Sequence, residues 1–234
     1  YEEHFSEVNK RISPATQTKD FISITFRNRY EDDLVYVTTN SWWGRLAEDI
    51  DSGVYRWVNL ELKDVQDKEL DVELPRTVVD HALKTAKEYP NKRLFVHFNQ
   101  PHYPFIGELG RSVFPTETRR GITEDVFRSK ATRKEVREAY RENIEAVIPE
   151  VNRLVRQLSG KSVITADHGE MLGERSFPVP IRDYGHSRAI YTRELLEVPY
   201  IECPYDERKS IEPGGETTSN VDDEAVADRL VKLG

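Results

Sequence analysis

The chain has 234 residues, of which 37% are hydrophobic and 10% aromatic, and this fits one large α/β domain with a buried sheet. Its 42 acidic and 34 basic side chains leave a net charge of −8, which argues against binding nucleic acid through overall charge. No apolar run is long enough to span a bilayer. The single cysteine, Cys203, excludes an intrachain disulfide and a cysteine-based zinc cluster.

The first residue is Tyr1, and the one methionine is Met171. We therefore expect a natural start to lie upstream and the domain to be incomplete at its N-terminus. No signal sequence is visible, so the cytoplasm is the default location, while the location itself and the oligomeric state stay open.

Strand and helix signals alternate along the chain. Runs rich in β-branched and aromatic residues predict strands over 33–38, 94–98, 162–166 and 198–203. Apolar residues at spacings of three and four, or a capping residue before an apolar run, predict helices over 75–88, 132–158 and 222–233. Pro75 suits the first position of its helix, and Pro149 should kink the second one. Such alternation predicts parallel pairing and a layered α/β domain over 1–234, with ligands bound beyond the carboxyl ends of the strands.

A first candidate site follows the predicted strand 162–166. Asp167 and His168 are good ligands for a divalent cation, and Gly169 would give the backbone the freedom to turn there. An Asp-His pair alone is more typical of a solvated polar loop than of a metal site.

Two further histidines lie at and after the predicted strand 94–98. His102 stands between Pro101 and Pro104, which stiffen the loop, so that its imidazole could bind an oxyanion, protonate a leaving group or ligate a metal. His97 lies inside the strand and is as typical of a satisfied core histidine as of a functional one. His186 could fold back over the Asp167 loop, although its sequence context is also that of a surface histidine in a polar loop.

Taken in order, several segments resemble the sulfatase family of the alkaline phosphatase superfamily. The segment Asp167-His168-Gly169-Glu170-Met171-Leu172-Gly173-Glu174 and the loop Pro101-His102-Tyr103-Pro104-Phe105 are its most specific parts. The resemblance runs from about residue 33 to the end and also takes in these segments: 35–40, the helix centred on Tyr140, 184–187, 197–201 and 220–222.

This resemblance implies a layered α/β/α sandwich with a mainly parallel sheet and a metal-dependent hydrolase of small anionic sulfate or phosphate esters. It implies that Asp167 and His168 ligate a divalent cation (Mn, Zn, Ca or Mg). It implies that His102 contacts the anionic group or the leaving oxygen of the ester, and that His186 lines the same pocket and is a ligand in two-metal members. We assign substrate binding to His97 and, in place of the lysine usual in sulfatases, to Arg182.

The chain also departs from the family pattern. It lacks the first strand with its metal-binding aspartates and the nucleophile motif; Cys203 lies too late, and Ser13-Pro14-Ala15-Thr16 does not match the motif. We therefore expect the chain alone to be inactive. Two alternatives stay open: a non-catalytic pseudo-enzyme or binding module that retains the fold, and a phosphodiesterase or phosphoryl transferase of the same superfamily.

Overall fold

A computed structural model of the chain describes residues 8–61, 67, 70, 72–114, 121–176, 178–187 and 190–217. In chain order, its elements are β1 (Asn9–Ile12), α1 (Thr18–Phe26), β2 (Tyr30–Thr38), α2 (Trp42–Leu46), β3 (Gly53–Asn59), α3 (Pro75–Glu88), β4 (Arg93–His97), α4 (Glu108–Val113), α5 (Ile122–Ser129), α6 (Arg133–Gln157), β5 (Val163–Thr165), β6 (Met171–Arg175), β7 (Arg182–Gly185), α7 (Arg193–Leu196) and β8 (Glu197–Glu202). Within those residues, no helix has the length and apolar character needed to cross a membrane. The helix predicted over 222–233 lies outside the described residues.

The centre of the fold is a parallel sheet of three strands in the order β3-β2-β4. Alternate side chains of β2 point to opposite faces of this sheet, as strand geometry requires. On one face, Tyr36 packs with Phe26 of α1 and Trp43 of α2. On the other face, Val37 packs with Val78 of α3. Helices therefore cover both faces of a mixed α/β core, which confirms the coarse fold prediction.

The longest helix, α6, has a clear start signal in the sequence. The Thr132 side chain accepts a hydrogen bond from the Glu135 amide at 3.3 Å, and the Glu135 carboxylate accepts one from the Thr132 amide at 2.7 Å. This reciprocal capping box satisfies two amides that have no partner inside the helix. The helix then continues through Pro149 to Gln157 and packs against α3 and α4.

The prediction of parallel pairing is wrong for the later strands. β8 lies between β1 and β5 and pairs antiparallel with both, forming a second sheet of three strands. The chain between β5 and β8 consists mainly of an antiparallel hairpin, β6 and β7, and the short helix α7. A right-handed helical crossover is what makes parallel pairing the expected outcome, and the described residues of this connection form none.

Candidate metal centre

The carboxyl end of β4 brings His97 to the edge of the sheet. Its Nδ1 lies 2.8 Å from the Tyr36 hydroxyl, and its Nε2 lies 3.5 Å from Oδ2 of Asp167. Asp167 follows β5, which belongs to the other sheet. The two sheets therefore meet at their strand ends through this pair of side chains.

Asp167 is held by several hydrogen bonds from the protein. The Thr18 hydroxyl, in the first turn of α1, donates to Oδ2 at 2.6 Å and also lies 3.3 Å from Nε2 of His168. The His168 amide donates to Oδ1 at 3.0 Å, and the Ser13 hydroxyl donates to the Asp167 carbonyl oxygen. Burial alone would raise the pKa of Asp167, but attraction to His97 and His168 and the Thr18 hydrogen bond hold it well below its usual value. The carboxylate is therefore ionised at neutral pH.

Gly169 is required at the next position because of space. A Cβ atom there would lie 1.9 Å from the Glu194 carbonyl oxygen, while the Gly169 amide donates to the Leu195 carbonyl oxygen at 2.7 Å. Its φ is not positive, so close approach of the chain before β8, rather than backbone freedom, explains the glycine.

The loop after β4 presents His102 to a buried carboxylate. Its Nδ1 lies 2.8 Å from Oε2 of Glu170, whose side chain is 5% exposed, while the His102 side chain is 34% exposed. Burial opposes protonation of His102, but the Glu170 carboxylate outweighs it and raises the pKa of the imidazole. His102 is thus the accessible member of this pair.

His186, directly after β7, lies between the ring of His168 and the ring of His102. Its ring centroid lies 4.5 Å from that of His168 and 4.9 Å from that of His102. Burial is the main cause that lowers the pKa of His186 to about 4, so its imidazole is neutral at pH 7. A neutral imidazole has a lone pair available for a cation.

The side chains described above form one cluster, which divides into two groups. We call His97, Thr18, Asp167 and His168 the Asp167 group, and His102, Glu170 and His186 the Glu170 group. The Glu170 group could hold a metal ion, because it offers three ligand atoms that all lie within 4.8 Å of one another. Two buried atoms in it, Oε1 of Glu170 and Nδ1 of His186, have no hydrogen-bond partner among the described residues. Buried polar atoms without a partner are costly, which points to a ligand at this place.

The structure brings five of the six predicted site residues into one cluster: His97, His102, Asp167, His168 and His186. The sixth, Arg182, is exposed and donates from Nη1 to the Gly173 carbonyl oxygen at 2.9 Å. Sequence reasoning did not assign a role to Thr18 or Glu170. Glu170 lies in the segment Asp167–Glu174 that carries the resemblance, close enough to Asp167 to be considered a ligand. No sequence motif marked Thr18.

Comparison of the chain with protein-family models and with curated proteins found no match.

Proposed function

We propose that this chain carries the metal centre of a hydrolase of sulfate or phosphate esters, similar to the sulfatases. The observation that carries the proposal is the Glu170 group with its two unpartnered buried atoms, set beside Asp167 and His168. Ring contacts run without a break from His168 through His186 to His102. A surface loop with ordinary polar residues would not bury a carboxylate and an imidazole in this way.

The donor set favours a particular kind of cation. Two imidazoles and one carboxylate suit zinc or manganese better than calcium or magnesium, which prefer oxygen ligands alone. Three protein ligands leave a position for an ester oxygen, and a bound divalent cation neutralises charge on such an oxygen. Asp167 and His168, the ligands implied by the family resemblance, form an adjacent second pair with Oδ2 and Nε2 3.6 Å apart.

The other side chains have supporting roles in this proposal. Glu170 keeps the His102 ring oriented through the bond to Nδ1, which leaves the other ring nitrogen for the cation. His97 contacts protein atoms through both nitrogens, and this supports a role in orienting Asp167. Substrate binding by His97 and by Arg182 stays a prediction.

The finer architecture is part of the same proposal. We infer a layered α/β/α sandwich with a mainly parallel sheet for the complete catalytic domain. Its support is that β4 and β5 each lie at the edge of their own sheet while His97 and Asp167 meet at their carboxyl ends. A further strand lying between these two edges would join the sheets into one.

The test of activity uses the complete protein that the gene encodes, because this sequence lacks the family's nucleophile motif. With zinc or manganese supplied, it should hydrolyse an aryl sulfate or an aryl phosphate, and His186→Ala should lower the rate at least about 100-fold. His81→Ala, on α3 outside the cluster, is the matched control and should keep the full rate. If the protein hydrolyses neither ester with zinc, manganese, calcium or magnesium, the proposal is contradicted and a pseudo-enzyme or binding module is favoured.

A second candidate function is phosphoryl transfer, and the Thr18 hydroxyl favours it. This hydroxyl lies within hydrogen-bond distance of both Asp167 and His168, and a hydroxyl nucleophile needs an adjacent base or a metal ion to activate it. If Thr18 attacks phosphorus, a phosphothreonine ester forms as the aryl alcohol leaves, and water or an added alcohol then takes the phosphoryl group and frees Thr18. This chain alone will then turn over an aryl phosphate. Thr18→Val should then abolish turnover, whereas Thr18→Ser should retain it. An inactive chain within an active complete protein would exclude Thr18 as the nucleophile.

A further inference from the structure

One side chain of α6 fastens the loop that carries His102. Asn143 is fully buried (0% exposed) in the middle of that helix. Its Nδ2 group donates to three carbonyl oxygens of the loop, at 3.1 Å to Pro101, 3.2 Å to His102 and 3.2 Å to Pro104. Its Oδ1 atom accepts from the Ile106 amide at 2.7 Å. The amide thus bonds to both halves of the loop and to the backbone of His102 itself.

The neighbouring residue on α6 fixes the segment that follows this loop. The Glu142 carboxylate accepts a hydrogen bond from the Leu109 amide at 3.0 Å, in the first turn of α4. Gly107 is required for this approach, because a Cβ atom there would lie 2.5 Å from Cβ of Glu142. Two adjacent side chains of one long helix therefore determine the path of the chain from Pro101 to α4.

Burying the amide of Asn143 in a helix interface carries a desolvation penalty. Its burial is tolerated only when its donors and acceptor are bonded, and an apolar residue would serve packing alone at least as well. The bonds of Asn143 go to the backbone at and around His102, whose ring is held from the other side by Glu170. Ligands on loops need such outer contacts, because a shift of a fraction of an ångström weakens metal binding.

We propose that Asn143 is a positioning residue, which holds His102 in the place where it completes the Glu170 group. The inference rests on the proposed metal centre and goes beyond it, since no hydrogen bond among the described residues joins Asn143 to Glu170 or to His186. It predicts that the affinity for metal depends on a residue of α6 with no ligand chemistry of its own.

The experiment replaces the amide by its nearest isostere. Asn143→Asp keeps an acceptor for the Ile106 amide but places carboxylate oxygen against three carbonyl oxygens, and Asn143→Ala removes every bond without adding charge. Gln157→Glu, at an exposed amide in the last turn of the same helix, makes the matching amide-to-carboxylate change away from the loop and is the matched control. Zinc affinity by equilibrium dialysis should fall about 10- to 100-fold in both Asn143 variants and stay unchanged in the control. Amide exchange of Ile106, whose amide donates to Asn143, should quicken at least about 10-fold in Asn143→Ala while far-UV circular dichroism is unchanged.

Each result bears on the inference in a definite way. Faster exchange with unchanged zinc affinity would reduce Asn143 to a structural residue and overturn the inference. Unchanged exchange at Ile106 in Asn143→Ala would overturn it as well, because the loop would not depend on the amide. A wild-type chain that binds no zinc would instead overturn the proposed metal centre, and the inference with it.

Discussion

The two groups of the cluster differ in how well their own protein partners satisfy them. In the Asp167 group, both carboxylate oxygens accept hydrogen bonds, from Thr18 and from the His168 amide, and His97 lies beside them. In the Glu170 group, one carboxylate oxygen and one imidazole nitrogen are buried without a partner among the described residues. The first group is satisfied by its own neighbours, whereas the second has two buried atoms that no described residue satisfies.

This difference separates two tasks within one cluster. A satisfied, ionised carboxylate between two sheets stabilises the fold, because removing it leaves its buried partners without an acceptor. An unsatisfied carboxylate with two imidazoles costs stability until a cation binds, and such costs are typical of functional sites. We therefore expect substitutions in the two groups to have opposite consequences for metal binding and for stability.

The largest expected effect is on metal binding at the Glu170 group. Glu170→Gln keeps the shape and an acceptor for His102 but removes the charge that a divalent cation needs. Zinc affinity of this chain should fall by more than about 100-fold, measured by equilibrium dialysis with elemental analysis. Asp167→Asn should weaken binding much less in this chain, because its oxygens already accept protein hydrogen bonds. The reverse order of the two variants would refute the division of tasks and return the metal to the pair implied by the resemblance.

The next effect is on the free energy of unfolding of the metal-free chain. Asp167→Ala leaves Thr18 and the His168 amide without their acceptor and should destabilise the fold by about 1–3 kcal/mol. Glu170→Gln should leave the metal-free stability unchanged or raise it, because the buried charge disappears. Urea denaturation of both variants in the presence of a chelator measures the contrast. Equal losses in the two would show that the groups do not differ in kind.

Much of the central fold could be predicted from the sequence, because its signals are local. The helix beginning at Pro75 starts and ends where predicted, and the apolar runs of β2 and β4 pair in parallel as expected. β3 was missed although Val54, Tyr55, Trp57 and Val58 favour a strand, since Gly53 and Asn59, which disfavour one, lie at its ends and Arg56 interrupts the apolar run. The antiparallel pairing of β5 with β8 depends on the β6–β7 hairpin between them, which no periodicity indicated.

The cluster was predicted in its residue types but not in its partners. The bond from Thr18 to Asp167 joins residues 149 positions apart, and the contact of His102 with Glu170 spans 68 positions. Asn143 stood inside an amphipathic helical pattern, where nothing local distinguishes a buried amide from an exposed one. Contacts of this range are set by how the sheets and helices pack, so they became visible only in the folded chain.

The smallest expected effect concerns the ion pairs of Glu174, which lies four residues after Glu170 in the sequence. Burial would raise the pKa of Glu174, but Arg133 and Arg137 hold it at about 2. Because this pKa is lowered on folding, the stabilisation is full above the unfolded value near 4.5 and is lost as pH falls from there towards 2. Both arginines are largely exposed, so the loss should stay within about 1 kcal/mol.

Glu174→Gln should remove this part of the acid sensitivity, which thermal unfolding between neutral and acidic pH measures. Glu138→Gln, which removes an exposed pairing with Arg141 on the same helix, is the matched control and should leave the acid profile nearly unchanged. A profile for Glu174→Gln that matches the wild type would show that the ion pairs of Glu174 do not stabilise the fold.

The most direct measurement of the metal centre is X-ray absorption at the zinc edge of the loaded chain. We predict two imidazole nitrogens and carboxylate oxygen at about 2.0–2.2 Å from the zinc. His102→Ala and His186→Ala should each remove one imidazole from the spectrum, while His81→Ala should remove none. A spectrum with oxygen ligands only, or one that neither substitution changes, would contradict the proposed metal centre.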